Sequence, residues 1–347
     1  MIAFFLKSVP LGSDRPMPSC PHRPFGRNIQ LRIGFFAVSL LILNFIVPAL
    51  HAAGPLKVVA TVAPITNIVK NVGGERIDLH GIVPEGTDSH TFEPAPSDIK
   101  YLAQADLLIF NGLNLETPTE TLAKANRKKG AKILKLGDNT ISKKEWVFDF
   151  SFPESSGNPN PHLWLNVAHA MRYAELVRDA LISLDPSGKE YYQQRATEYL
   201  ARLKKLDEAI FKAMETIPAQ NRKLLTYHDS WAYFCPRYGC KVVGAVQPSS
   251  FSEPSPREMA RLIDQLKAEK VPAIFGSEVF PSKILDQIGK EAGVKYISTL
   301  RDDDLPGTSD APDHTYIGMM VEDVKTMASV LGGKSEPLNE IDPRNLP

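Results

Sequence analysis

From residue 189 to residue 217 the chain carries no glycine, and its apolar residues fall at Tyr192, Ala196, Tyr199, Leu203, Leu206, Ile210, Ala213 and Ile217. The steps alternate four and three without a miss, which keeps one apolar stripe along one side of a helix. At 1.5 Å per residue such a helix runs about 40 Å. A coiled-coil dimerisation helix is the other use of this pattern, but three to four heptads in a single copy weigh against it. A strut between two folded halves fits better, and a helical strut limits how far those halves can close on each other.

The halves on either side read alike. In the first, 57–62 (KVVATV) is a β-branched run stopped by Pro64, a helix follows to Val72, and Gly73-Gly74 ends it. Residues 76–83 alternate as a second strand. Ser97 is placed to cap a helix to Ala105, and 106–111 (DLLIFN) is a buried strand. In the second half the strands are 223–226, 241–246, 273–276 and 295–300, with helices over 229–238 and 257–268. Strands alternating with helices predict an α/β fold with parallel sheets. Glu93-Pro94-Ala95-Pro96 and Glu253-Pro254-Ser255-Pro256 precede a helix at matching places, a weak sign that the lobes are related. At 347 residues the chain is long enough for two domains.

The N-terminal stretch has a different purpose. Residues 33–47 (IGFFAVSLLILNFIV) are uncharged and follow Arg23, Arg27 and Arg32, with Pro48 and small residues after them. Fifteen residues are too few for the roughly 20 that span a membrane, and the arrangement is that of a secretory leader. An uncleaved anchor helix is the alternative, and Met17 is an alternative start. The expected division is a signal peptide over 1–53, a first α/β lobe over 54–188, the linking helix over 189–217 and a second lobe over 218–347. The whole chain balances 40 basic against 40 acidic residues, and removing the leader leaves a net charge of −4. That balance gives nucleic acid no attraction, and the leader predicts an exported, periplasmic protein.

Eight histidines remain to be explained. His22 and His51 fall in the leader, His80 lies within a strand pattern, and His169 and His314 sit in polar surroundings. His90, in D-S-H-T-F-E-P, stands in a long loop after a strand, where α/β folds bind ligands. His162 is framed by N-P-N-P-H-L-W-L-N, whose prolines stiffen the approach. His228 follows the strand of 223–226 and is expected to open a helix, whose N-terminus would keep the imidazole neutral. Asp302, Asp303 and Asp304 follow the last strand, and one of them reaching the cleft would complete a tetrahedral set of three nitrogens and one oxygen. As a solvated acidic turn they would contribute nothing.

These segments together resemble one family. Residues 58–65 (VVATVAPI), 86–94 (GTDSHTFEP), 106–116 (DLLIFNGLNLE), 161–166 (PHLWLN), 226–231 (TYHDSW), 254–256 (PSP) and 303–305 (DDL) ahead of 315–319 (TYIGM) keep the motif order of the zinc/manganese solute-binding proteins of bacterial ABC importers. The resemblance covers 55–335 and implies two α/β lobes joined by one long helix, with a metal ion between them. It implies His90, His162, His228 and Asp303 as ligands, an ABC permease in the inner membrane as partner, and a monomer without enzymatic activity. Manganese-type members often carry a glutamate where this chain has His228, and zinc-type members often insert a His-rich loop that this chain lacks.

Imidazole donors suit zinc and carboxylates suit manganese, so the set favours Zn2+ over Mn2+ as the carried ion. Because imidazoles bind metal only when neutral, affinity is expected to fall as pH drops through roughly 6.5. A secreted zinc hydrolase would need an open water position and a general base, and no H-E-x-x-H pair is present. A metallochaperone or adhesin on the same fold stays open. Cys235 and Cys240, with Gly239 between them, are either a local disulfide or two small buried residues.

Overall fold

The computed structural model describes residues 54–347 apart from 248, 252, 253, 278 and 280–282; the leader expected over 1–53, and Glu253, lie outside the described residues. Among the described residues no helix is long and apolar enough to cross a membrane.

The first lobe runs β1 (Leu56–Ala60), α1 (Ala63–Gly73), β2 (Ile77–Gly81), α2 (Ile99–Gln104), β3 (Leu107–Phe110), α3 (Thr117–Asn126), β4 (Lys132–Lys135) and α4 (Val167–Leu184). Its four strands are all parallel, in the order β2-β1-β3-β4. Strand β3 (LLIF) is buried at every position, as a central strand covered on both faces must be. After α5 (Lys189–Thr216), the second lobe runs β5 (Lys223–Thr226), α6 (Phe234–Tyr238), β6 (Lys241–Ala245), α7 (Pro256–Glu269), β7 (Ala273–Ser277), α8 (Lys283–Ala292), β8 (Lys295–Leu300) and α9 (Tyr316–Val330). Its parallel sheet is ordered β6-β5-β7-β8. Counted within each lobe, both sheets read second, first, third, fourth, a far stronger sign of relatedness than the paired E-P-x-P.

The helix α5 is the expected strut. Every stripe residue within it is buried, and Ile217, which caps its end, is 1% exposed. Pro218 cannot continue it. It packs against α4 and α1 of the first lobe and α9 of the second. Two anchors hold its sides: Asp185 accepts from Arg76 at 2.7 Å and from the Tyr192 hydroxyl at 3.0 Å. Further along, the buried Asp207 accepts from Arg237 Nε at 2.9 Å and from the Tyr238 hydroxyl at 2.5 Å. The segment after α9 then returns to the first lobe. Asn345 Oδ1 accepts from the amides of Asn67 and Asn71 on α1, at 3.0 and 2.8 Å, and Arg195 of α5 donates to the Pro347 carbonyl. Nothing in the sequence pattern announced that return.

Two expectations need correction. Helix 229–238 shrinks to α6, because the Asp229 carbonyl is taken by the Asn160 amide at 2.6 Å and the Asp229 carboxylate by the Ser151 N–H, outside any helix. Ser97 does not cap α2; a 3₁₀ turn leads in, and Asp98 accepts from the Ala95 N–H instead. Ser255 does cap α7, in a reciprocal pair with Glu258. The cysteines are bonded as Cys235–Cys240, with Gly239 at φ +75° making the tight turn between α6 and β6.

Removing packing from the strut should be costly. Leu203 is fully buried on α5, so Leu203→Ala should lower unfolding free energy by about 2–5 kcal/mol, read as a shifted midpoint in a urea titration.

Candidate metal centre

The three candidate histidines reach one point from three loops. His90 lies in the connection after β2, His162 between β4 and α4, and His228 two residues past β5. Two of these approaches share a local device. The Asp88 carboxylate accepts from the His90 N–H at 2.9 Å, and Asn160 Oδ1 accepts from the His162 N–H at 3.1 Å. These are Asx turns, in which the side chain folds back onto the backbone two residues on.

The imidazole edges meet. His90 Nε2 lies 3.2 Å from His162 Nε2 and 3.1 Å from His228 Nε2, and the three donor atoms fall within 4.8 Å of one another. His162 and His228 are 0% and 2% exposed, while His90 keeps a partly exposed side. Burial holds the His90 and His162 rings well below the ordinary value of 6.5, and the facing imidazoles push in the same direction. This replaces the helix N-terminus expected at His228: α6 begins six residues later, and burial is what keeps His90 and His162 unprotonated.

Asn160 decides which nitrogen of His162 faces the centre. Its Oδ1 must be the atom toward the His162 backbone N–H, which can only donate. Its Nδ2 must be the atom toward Asp149 Oδ2 at 3.0 Å and the Asp229 carbonyl at 2.6 Å, which accept. The amide orientation is therefore fixed from both ends. His162 Nδ1, 2.8 Å from that same Oδ1, is left as the protonated nitrogen, and the Nε2 lone pair points at the other two rings. Behind Asn160, burial raises the Asp149 carboxyl to about 9, with Asp229 beside it adding to the rise. Sequence reading missed Asn160 and Asp149 as part of the centre.

The three aspartates divide their work. Asp302 Oδ2 stands 3.7 Å from His228 Nδ1, and its backbone carbonyl accepts from Trp164 Nε1 at 2.8 Å across the lobes. Burial raises Asp302 to about 7. Asp303, 3% exposed, accepts from the Ser89 hydroxyl at 2.7 Å, next to His90. Asp304 accepts from the Gly86 N–H at 2.7 Å. The converging group among the described residues comprises the three histidines, and Asp303 lies beside it rather than within it. The other described histidines stand elsewhere: His80 stacks on Tyr101 at 3.6 Å, His169 packs edge-on to Tyr233, and His314 meets the Pro306 carbonyl and Glu85.

Two lobes on a helical strut, with converging imidazoles between them, define a receptor for a divalent transition metal. Residues 58–330 match the family described as zinc-uptake complex component A, periplasmic (ZnuA). The chain belongs to that family of extracytoplasmic, metal-binding solute-binding proteins of ABC transporters, which are not enzymes. It is 30% identical over 269 residues to the metal ABC transporter substrate-binding lipoprotein FimA of Streptococcus parasanguinis, covering 78% of this chain and 87% of that one. It is also 30% identical over 276 residues to the manganese-binding lipoprotein MntA of Halalkalibacterium halodurans, covering 80% of this chain and 88% of that one. Among solved structures it resembles the periplasmic zinc-binding protein TroA of Treponema pallidum, with a TM-score of 0.72 at 28% identity, covering 80% of this chain and 99% of that one. It also resembles the Mn-bound periplasmic metal-binding protein of Candidatus Liberibacter asiaticus, with a TM-score of 0.69 at 27% identity, covering 79% of this chain and 99% of that one.

If Asn160 sets the tautomer of His162, Asn160→Ala should weaken metal binding about 10–100-fold. Nitrogen NMR of the metal-free protein should then find the His162 ring no longer held in its Nδ1-protonated form.

Proposed function

We propose that this protein captures Zn(II) in the periplasm and delivers it to the membrane permease of an ABC importer. One observation carries the reading: three Nε2 atoms from two lobes stand 3.1 and 3.2 Å apart in a largely buried centre. A proton on one ring can bridge only one of the two facing pairs, so lone pairs are left opposed. A divalent cation relieves that opposition. Nitrogen-rich tetrahedral sets are the preference of zinc, and His90, His162 and His228 supply three such donors. Asp303 is our choice for the fourth, since Asp302 is turned to the far nitrogen of His228 and Asp304 to the Gly86 backbone. On this reading residues 1–53 are a cleaved leader, the lobes divide at 54–188 and 218–347 about the helix of 189–217, and the receptor works as a monomer.

The manganese reading has its own support in relatives named for manganese, MntA among them. Competition separates the two. The purified chain without its leader should take up one equivalent of zinc with a raised melting temperature, and keep it against a hundredfold excess of manganese. Failure to bind any divalent metal would overturn the receptor reading; displacement of zinc by manganese would overturn only the choice of ion.

Proton competition should begin lower than free histidine suggests. Since burial keeps His90 and His162 below 6.5 in the folded protein, lowering the pH to 6.5 adds no proton there for the metal to displace. Zinc affinity should stay level from pH 7.5 to about 6.5 and decline only below it. Calorimetry in buffers of different ionisation enthalpy should find little proton release in the level range.

A further inference from the structure

Only one of the three imidazoles keeps an exposed side, and what lies on that side is specific. A cavity of about 460 Å³ is lined by His90 but not by the buried His162 and His228. Its walls carry Asn114, Ser151, Ser155, Ser156, Asn158 and Ser249, and among the described residues no carboxylate, lysine or arginine lines it. A hydrated divalent ion with six first-shell waters occupies roughly 180 Å³, taking about 30 Å³ per water, so the cavity has room for one with its water shell intact. Neutral hydroxyl and amide walls can exchange hydrogen bonds with that shell without competing with the imidazoles for the ion.

Two phenyl rings line the cavity beside His90. Phe251 stacks flat on His90, with centroids 4.7 Å apart and planes 15° from parallel. Phe152 lies 5.4 Å from His90 and 5.9 Å from both His162 and Phe251. The two differ in how they are held. Phe152 is 6% exposed and sits beside Ser151, which is pinned to the second lobe through Asp229 and the Gln247 carbonyl. Phe251 is only partly buried, and its backbone has φ +54°, a left-handed conformation unusual for a bulky side chain. Phe251 is thus the less enclosed of the two rings.

We propose that this cavity is the port through which the metal ion, still hydrated, reaches and leaves the three imidazoles, and that Phe251 is the residue that sets the rate of passage. Phe251 offers the ion no donor atom, so it governs exchange kinetics rather than affinity. The proposal rests on the metal-receptor reading of the three histidines.

The test is stopped-flow zinc exchange on the chain without its leader, comparing wild type with Phe251→Ala and Phe251→Tyr, loaded with zinc and challenged with EDTA or with a fluorescent zinc indicator. Phe251→Ala should raise the association and dissociation rates together, by about tenfold or more, with Kd changed less than threefold. Phe251→Tyr, which keeps a ring over His90, should retain wild-type rates. A Phe251→Ala dissociation rate within twofold of wild type would overturn the port assignment. So would a faster dissociation with unchanged association, because Phe251 would then be stabilising the loaded state. An unchanged melting temperature of metal-free Phe251→Ala excludes a folding defect as the cause of faster exchange. A wild-type protein that takes up no zinc would instead strike the receptor reading, and the port with it.

Discussion

Everything in this molecule turns on the desolvation of imidazole. His162 is fully buried, His228 nearly so, and the three rings point the same nitrogen at one another. In water each ring would take a proton near pH 6.5; between the lobes the charged forms of His90 and His162 lose their hydration, and a charged His162 meets two neighbours that repel it. These two rings stay neutral, and neutral rings with opposed lone pairs are a centre organised for a cation before any cation arrives. That organisation is worth little unless the lobes hold still, since a shift of one lobe by an ångström would relax the opposition. Rigidity elsewhere is therefore part of the same constraint.

The helix α5 supplies that rigidity, and its connections explain why the lobes are not free to hinge. Bending a continuous helix breaks backbone hydrogen bonds, whereas rotating a loop breaks few. Asp185 and Asp207 tie the helix to the first and second lobes through Arg76, Arg237 and two tyrosines. The C-terminal segment then crosses back to α1 through Asn345. On the other side, Gly86 and Ser89 in the His90 loop bond to Asp304 and Asp303 of the second lobe. The lobes are thus linked by the strut, by the returning tail and by the loops that carry the centre, and of these the loops can yield at least cost.

What the sequence made legible follows the range of each interaction. The stripe of α5 and every strand but β4 came through because period and burial are local properties, and β5 and β8 matched residue for residue; β4 (KILK), with no position fully buried, was missed. His90 came through on its place in a loop after a strand and His162 on the prolines that frame it, both local features. The helix expected from 229 was wrong for a reason no local pattern contains: the Asp229 carbonyl bonds to Asn160, 69 residues earlier. The part played by Asn160 was illegible for the same reason. Its N-P-N-P-H setting was plain, but the two acceptors that fix its amide come from Asp149 and Asp229, which only the folded chain brings together. The division among Asp302, Asp303 and Asp304 also needed the partners opposite them, since three identical neighbours carry no distinguishing signal.

The repeated strand order gives the centre its logic. In each lobe the sheet runs second, first, third, fourth, and every candidate ligand stands on a connection leaving the carboxyl end of a strand: His90 after β2, His162 after β4, His228 after β5 and Asp303 after β8. Loops at that end of a parallel sheet are where open α/β folds collect ligands. Two such sheets facing each other supply loops from both sides, so the centre needs no element of its own. The contributions are not mirror images, however. His162 and the aspartates follow the fourth strand in their respective lobes, while His90 follows a second strand and His228 a first. A duplicated framework has been fitted with unlike side chains, which lets three nitrogens and the neighbouring carboxylates gather at one place without the crowding of like charge that a symmetric acidic centre would impose. The asymmetry also leaves one imidazole, His90, on the side where solvent can reach it, while the other two stay sealed against the lobes.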